Sequence, residues 1–417
     1  MGELKADVLV LGAGMVGVSA ALHLQKRGRD VIVIDRQKLA GEGTSYGNAG
    51  LIECSSVFPY MFPRSPAEIL RYATNRAAQL HYRLSDLPAF LPWLIRYYRA
   101  SSPERAHRSA MAALPLIRRS LTEHEALIVE ADASELMRRI GWIKLFRSDS
   151  TLGYALGDFE RAKEYGVQGE ILDQKAIAQR EPHLIGDFAG AIHFTEPGFV
   201  LDPGGLTKAY ARLFERRGGR FLVGDARTLE QTSSGWRMGV DDGVASAREV
   251  VVALGPWSDL VFAPLGYAIP FAVKRGYHLH LAPRGNAVLN HPVLDLDQGF
   301  VLAPMSRGIR LTTSVELARR DAPPSPVQLQ RALPRAHALF PLGEPVDTKP
   351  WIGARPCLPD MLPVIGRAPR HHGLWFDFGH HHHGLTLGPV TGRLLAEMMT
   401  GEAPFADPAP FAVERFG

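Results

Sequence analysis

The sequence predicts an α/β fold that combines a parallel, dinucleotide-binding sheet with a second region of antiparallel strands. Three observations carry this prediction. A short apolar run, Val8 to Leu11, ends in Gly12, Gly14 and Gly17; a helical pattern follows, then a second apolar run, Val31 to Ile34, closed by Asp35. A third apolar run, Val250 to Leu254, again ends in a glycine, Gly255. Residues 267–318 are strand-rich and antiparallel in pattern.

In the first unit each glycine has a distinct task. Gly12 allows the tight turn, Gly14 lets a pyrophosphate approach bare backbone, and Gly17 lets the helix pack close to its strand. That helix carries Val18, Ala20, Ala21 and Leu24 on its packed side, with Gly28 at its C-terminal end. Its N-terminus offers free N–H groups and partial positive charge, so Met15 and Val16 belong to the nucleotide site. Asp35 stands 23 residues after Gly12, close to the spacing at which a carboxylate meets a ribose hydroxyl, with Arg36 beside it. A carboxylate there repels a 2′-phosphate and disfavours NADP. It does not separate NAD from FAD.

Composition sets the outer limits. A chain of 417 residues with 46% hydrophobic content can bury a large core in two domains or one composite one. Its formal charge of +4 is too small to imply nucleic acid. Two cysteines, Cys54 and Cys357, suit a reducing compartment. No uncharged apolar run reaches about 18 residues, and the nucleotide motif leaves no room for a leader, so a cytoplasmic protein is expected.

Further along, residues 41–50 form a glycine-rich polar loop after the second strand, where loops face the ligand crevice. Thr44, Ser45 and Asn48 supply hydroxyls and an amide, and Ala49, Gly50 and Leu51 continue into the next segment. Between Arg64 and Arg99 there are six arginines against two acids, interleaved with aromatics. Residues 90–99 read either as an amphipathic segment on a membrane or as a helix packed on its own domain; the second reading is preferred. Helices are expected over 106–140, 152–166 and 204–217, and from a proline-rich link to about Phe340. Strands are expected at 142–146, 191–194, 221–223 and 236–240. Pro256-Trp257-Ser258 turns into a helix. On Arg275 to Leu281, Tyr277 and Leu279 share one face and His278 and His280 the other. Residues 351–366 read as coil, 374–378 as a strand, and a helix is expected from Pro389 to Met399, with Gly401 as its stop. The four histidines at 380–383 point in different directions, so no metal site is expected.

Taken together, the fingerprint, the Thr44-Ser45…Asn48-Ala49-Gly50 loop, Val251 to Ser258 and Gly353-Ala354-Arg355-Pro356…Pro363-Val364-Ile365-Gly366…Gly379-His380 resemble FAD-dependent amine oxidoreductases. These form the D-amino-acid oxidase, glycine oxidase and sarcosine oxidase superfamily. The resemblance spans nearly the whole chain and is greatest to the D-amino-acid dehydrogenase branch and its D-hydroxyproline dehydrogenase relatives. It implies FAD, bound non-covalently, since the setting of Cys357 does not match the cysteine that carries flavin in some sarcosine oxidases. It also implies a Rossmann-type FAD-binding domain (1–55, 185–265 and 350–417) interleaved with an α+β substrate domain (56–184 and 266–349).

The resemblance further implies oxidative deamination of a D-amino acid by hydride transfer from its α-carbon to flavin. Electrons would pass to a quinone or another non-oxygen acceptor, with peripheral contact at the inner face of the membrane and with partner subunits. The alternatives are a D-hydroxyproline or other secondary-amine dehydrogenase or oxidase, and a flavin fold kept for assembly. Arg355 falls on the family's Gly-x-Arg-Pro arginine, and its planar fork suits the substrate carboxylate. Tyr277 and His278 lie on the strand that lines the substrate pocket in the family, with the Tyr277 hydroxyl expected as a second donor to the carboxylate and His278 as a further candidate. His380 and His383 are expected at the flavin edge. Trp257, Leu254, Gly255, Gly353, Gly379, Gly384, Leu385 and Thr386 complete the expected cofactor contacts. The helix after Leu385 would stabilise negative charge on reduced flavin.

Overall fold

The computed structural model describes residues 2–417, which build two large sheets and the helices that cover them. Strand Glu3–Leu11 lies between Val31–Asp35 and Gly243–Val252, parallel to both, and Arg220–Val223 continues the parallel order beyond Val31–Asp35. The long strand Gly243–Val252 changes partner along its length. Its first half pairs with the antiparallel meander Gly235–Val240, and its last residues pair with Leu374–Phe378. The C-terminal part of the chain is thereby placed in the same sheet as the first eleven residues.

Alternation sorts the strands' apolar side chains into two cores. Val8, Val10, Val31, Val33 and Val251 face the helices Met15–Gln25, Pro203–Arg216 and Gly384–Thr400. Leu9, Leu11, Ile32, Ile34, Val250 and Val252 face the meander and the aromatic residues Trp236, Phe376 and Phe378. A stretch buried on both faces needs an apolar residue at every position, as residues 8–11, 31–34 and 250–252 have.

The helix expected from Pro389 begins five residues earlier, at Gly384, and Pro389 lies inside it. Proline there removes the N–H that would bond the Leu385 carbonyl. His124 takes that place: its Nε2 lies 2.7 Å from the Leu385 oxygen, and its Nδ1 lies 3.0 Å from the Tyr210 hydroxyl. Because a carbonyl only accepts, Nε2 carries the proton and Nδ1 accepts from tyrosine. Burial holds the His124 pKa down to about 4, so the ring is neutral.

The second sheet is mostly antiparallel, as expected, and is centred on the long strand Ala272–Pro283. Residues 351–366 are not coil. Trp351–Cys357 pairs with Ala272–Pro283 in this sheet, and Val364–Arg367 pairs with Leu374–Phe378 in the other. Local glycines and prolines read as coil, but a ladder partner some 80 residues away overrides them. Strands Gly190–Phe194 and Trp351–Cys357 therefore belong to the second sheet, although 185–265 and 350–417 were assigned by sequence to the nucleotide domain. In the opposite sense, the later half of helix Pro103–Glu130 packs into the core of the first sheet. That helix stops at Glu130, short of 140, and Asp132 follows at φ 53°.

Helix Leu87–Ala100 buries Phe90, Trp93 and Tyr97 against Ala272, Leu317 and Cys357, and it leaves Leu91 and Ile95 exposed. The preferred packed-helix reading describes its inner face. No helix among the described residues is long and apolar enough to cross a membrane.

Candidate active site

A cavity of about 1330 Å³ runs from the glycine loop at the edge of the first sheet to the face of the second. At its nucleotide end Gly12 has φ 106°, a conformation natural to glycine, and a Cβ there would lie 2.5 Å from the Ala253 oxygen. At Gly17 a Cβ would lie 1.9 Å from the Gly12 oxygen, so helix and turn are in backbone contact. Gly17 accordingly serves packing and does not line the cavity. The helix Met15–Gln25 starts at Gly14 with no side-chain cap on its N-terminus from that residue and no acid in its first turn. Ser45 accepts from the Met15 amide at 2.9 Å, bringing the 41–50 loop over the helix start. Asp35 accepts from the Ala13 and Gln37 amides at 2.7 and 2.8 Å, which fixes its carboxylate at the cavity wall. Arg36 lies 4.1 Å from the Trp257 ring centre, a flat platform beside Asp35.

This cradle fits FAD: bare backbone and a helix N-terminus for pyrophosphate, an anchored carboxylate for ribose, and a cavity long enough to continue toward a second ring system. Farther in, Leu254 and Gly255 lie on one wall. Thr44 donates to the Ala354 oxygen at 3.0 Å and ties the loop to the strand that carries Gly353 and Arg355. The first residues of helix Gly384–Thr400, Gly384 and Leu385, also border the cavity, as do Asn48, Ala49, Leu51 and His380. Gly50, Gly379, His383 and Thr386 stand behind this wall. Thr386 bridges the Leu51 oxygen and the Glu53 amide, and His383 bonds the Glu53 carboxylate at 3.1 Å.

At the far end Arg355 lines the cavity, with Nη1 donating to the Ser314 and Arg275 carbonyls at 3.0 and 3.3 Å. No carboxylate among the described residues is in ion-pair contact with it. Burial holds its pKa below the usual arginine value, though the group stays cationic.

Two sequence-predicted residues are engaged differently: Tyr277 is among the residues lining the cavity, but its hydroxyl is bonded away from it. The Tyr277 hydroxyl donates to Glu316 at 3.0 Å and accepts from the Ser325 amide at 2.7 Å. It is thus committed to the buried Arg275–Glu316 ion pair and not free as a carboxylate donor. His278 does not line the main cavity. Its ring stacks on Trp351 at 4.8 Å, and Trp351 is in turn covered by Gly47, where a Cβ would lie 1.8 Å from the indole. Shut away from solvent and near the Arg310 charge, His278 has its pKa pushed down to about 2.

Sequence reasoning missed Lys274, Glu53 and His382, all of which line the cavity. Lys274 is the direct cross-strand partner of Arg355. Its signal was the alternation already noted on this strand, since Lys274, Gly276 and His278 share the face opposite Tyr277. Glu53, His382 and His383 converge, as do His278, His280 and Asp347. In the second group both His280 nitrogens are already bonded, to Asp347 and Arg310.

A glycine cradle suited to a dinucleotide thus shares one cavity with a half-buried arginine on the second sheet, a cofactor site and an anion-holding group in one space. The comparisons with known proteins give the family. Residues 7–398 match the model of the DAO family, FAD dependent oxidoreductase, and the chain belongs to that family. It is 31% identical to a D-amino-acid oxidase of Bradyrhizobium diazoefficiens, over 98% of each chain. It is 32% identical to a D-amino acid dehydrogenase of Xylella fastidiosa, over 94% of this chain and 91% of that one. Its fold is that of the glycine oxidase of Geobacillus kaustophilus, with a TM-score of 0.78 at 22% identity over 98% of both chains.

Proposed function

We propose that this protein oxidises a D-amino acid at its α-carbon and passes the electrons to a quinone or another non-oxygen acceptor. The observation that carries the reading is Arg355, a half-buried guanidinium with no acidic partner among the described residues, in the same cavity as the nucleotide cradle. FAD, when bound, supplies the hydride acceptor. Arg355 receives the substrate carboxylate in its planar fork and orients the α-carbon. The first turn of Gly384–Thr400 borders the cavity with its positive end and favours negative charge there. The aromatic walls from helix Leu87–Ala100 exclude water from the substrate end. The names of the relatives support D-amino acids as the substrate class and leave oxidase and dehydrogenase both represented.

The bland packing of helix Leu87–Ala100 still leaves Leu91, Ile95 and Tyr98 exposed beside Arg96 and Arg99, which supports shallow, reversible contact with an anionic membrane where a quinone resides. The test is anaerobic mixing of the purified flavoprotein with D- and L-amino acids, N-methylglycine and hydroxyprolines, followed by flavin bleaching. D-amino acids should bleach it fastest, and under air hydrogen peroxide should form at least about tenfold more slowly than a dye is reduced. Bleaching by L-amino acids alone, or by none of these amines, contradicts the substrate reading; equal peroxide and dye rates contradict the acceptor.

A further inference from the structure

The substrate end of the cavity holds one cation more than an amino-acid carboxylate needs. Lys274 and Arg355 are directly opposed on adjacent antiparallel strands, so their side chains leave the sheet on the same face. Like charges so placed repel, and burial adds to the cost of each. Neither is in ion-pair contact with a carboxylate among the described residues. Of the acids bordering this end, Glu53 bonds His383 at 3.1 Å, and Asp377 lies 3.3 Å from His380 with burial pushing its carboxyl pKa up toward the neutral form. The Lys274 ammonium instead rests over the rings of Trp93 and Tyr97, at 4.9 and 4.3 Å. Aromatic faces stabilise a desolvated cation without neutralising it. Arg355 spends Nη1 on backbone carbonyls and keeps its remaining N–H groups for one carboxylate.

We propose that Lys274 is a second anion site beside Arg355, and that the preferred substrate is an amino acid carrying a second carboxylate. The inference rests on the reading of Arg355 as the clamp for the α-carboxylate. Directly opposed residues stand about 5 Å apart at Cβ, a separation that the two carboxylates of an aspartate- or glutamate-sized molecule can span. Lysine suits the second group as a flexible point charge, whereas the fork of Arg355 fixes the first.

The test compares isosteric acid and amide pairs on the holoenzyme: D-glutamate against D-glutamine and D-aspartate against D-asparagine, by kcat/KM. A second readout needs no turnover. Binding of glutarate and of pentanoate is measured by calorimetry. Each acid should exceed its amide by at least about tenfold, and glutarate should bind at least about tenfold tighter than pentanoate. Lys274→Met should bring both ratios to near one, and Lys274→Arg should restore most of them. Ratios that are near one in the wild type, or that Lys274→Met leaves unchanged, overturn the proposal. If no amine reduces the flavin, the functional reading fails, and the glutarate ratio still decides the role of Lys274.

Discussion

The two ends of the cavity are built by different means. The nucleotide end is made of backbone: a turn that needs Gly12, a helix that starts at Gly14, and one carboxylate held by two main-chain amides. These three parts lie within residues 12–37, and Ser45 and Trp257 are added from outside that stretch. The substrate end is made of side chains brought together from afar, with Arg355 and Lys274 separated by about eighty residues and joined only by strand register. Backbone chemistry written in a short stretch is legible; side-chain chemistry assembled by register is not. The contrast also separates what substitutions should do: at the first end they should cost the cofactor, at the second the substrate.

The largest effect should come from Gly17→Val. Its side chain would start 1.9 Å from the Gly12 oxygen, so turn and helix must separate. The purified variant should retain less than about a tenth of wild-type FAD by absorbance, if it remains folded by circular dichroism. Full flavin content would show that the contact yields and would weaken the backbone account of this end.

Next comes Asp35→Ala. It removes a charge-assisted hydrogen-bond acceptor and should weaken FAD retention by about 1–3 kcal/mol, measured by titrating apoprotein. Part of that loss belongs to the turn, because Asp35 also holds the Ala13 amide. Unchanged affinity would remove Asp35 from the cofactor site.

A smaller effect joins the two ends through the helix between them. His124 is neutral and buried, with its pKa held at about 4 against an ordinary 6.5. The unfolded chain therefore binds more protons between those values. Stability should be full above pH 6.5 and fall as the pH drops through that window, by about 2 kcal/mol near pH 5 from this residue. Thermal melts of wild type and His124→Gln at pH 7 and 5 check it: the variant should be less stable at pH 7 but lose less on acidification. Equal losses would place the acid sensitivity elsewhere, for example at His23, whose pKa burial brings to about 3.

Much of the fold could be read because the buried runs 8–11, 31–34 and 250–252 are continuously apolar and its helices stop at recognisable residues, such as Gly401 at φ 74°. The start of that last helix could not, because the bond missing at Pro389 is replaced by His124, distant in sequence. Arg355 was found through the Gly-x-Arg-Pro resemblance. Tyr277 does border the cavity, but alternation turns its hydroxyl to the opposite face, where it bonds Glu316. Lys274 was overlooked because only the register with Trp351–Cys357 sets it against Arg355.

The central claim is that Arg355 holds the substrate carboxylate while the distant cradle holds FAD. Arg355→Lys keeps the charge and loses the fork. Measured together on the purified variant, bound FAD should stay near the wild-type level while kcat/KM for the best D-amino acid falls at least about tenfold. Unchanged efficiency, or loss of flavin in place of efficiency, would contradict the account.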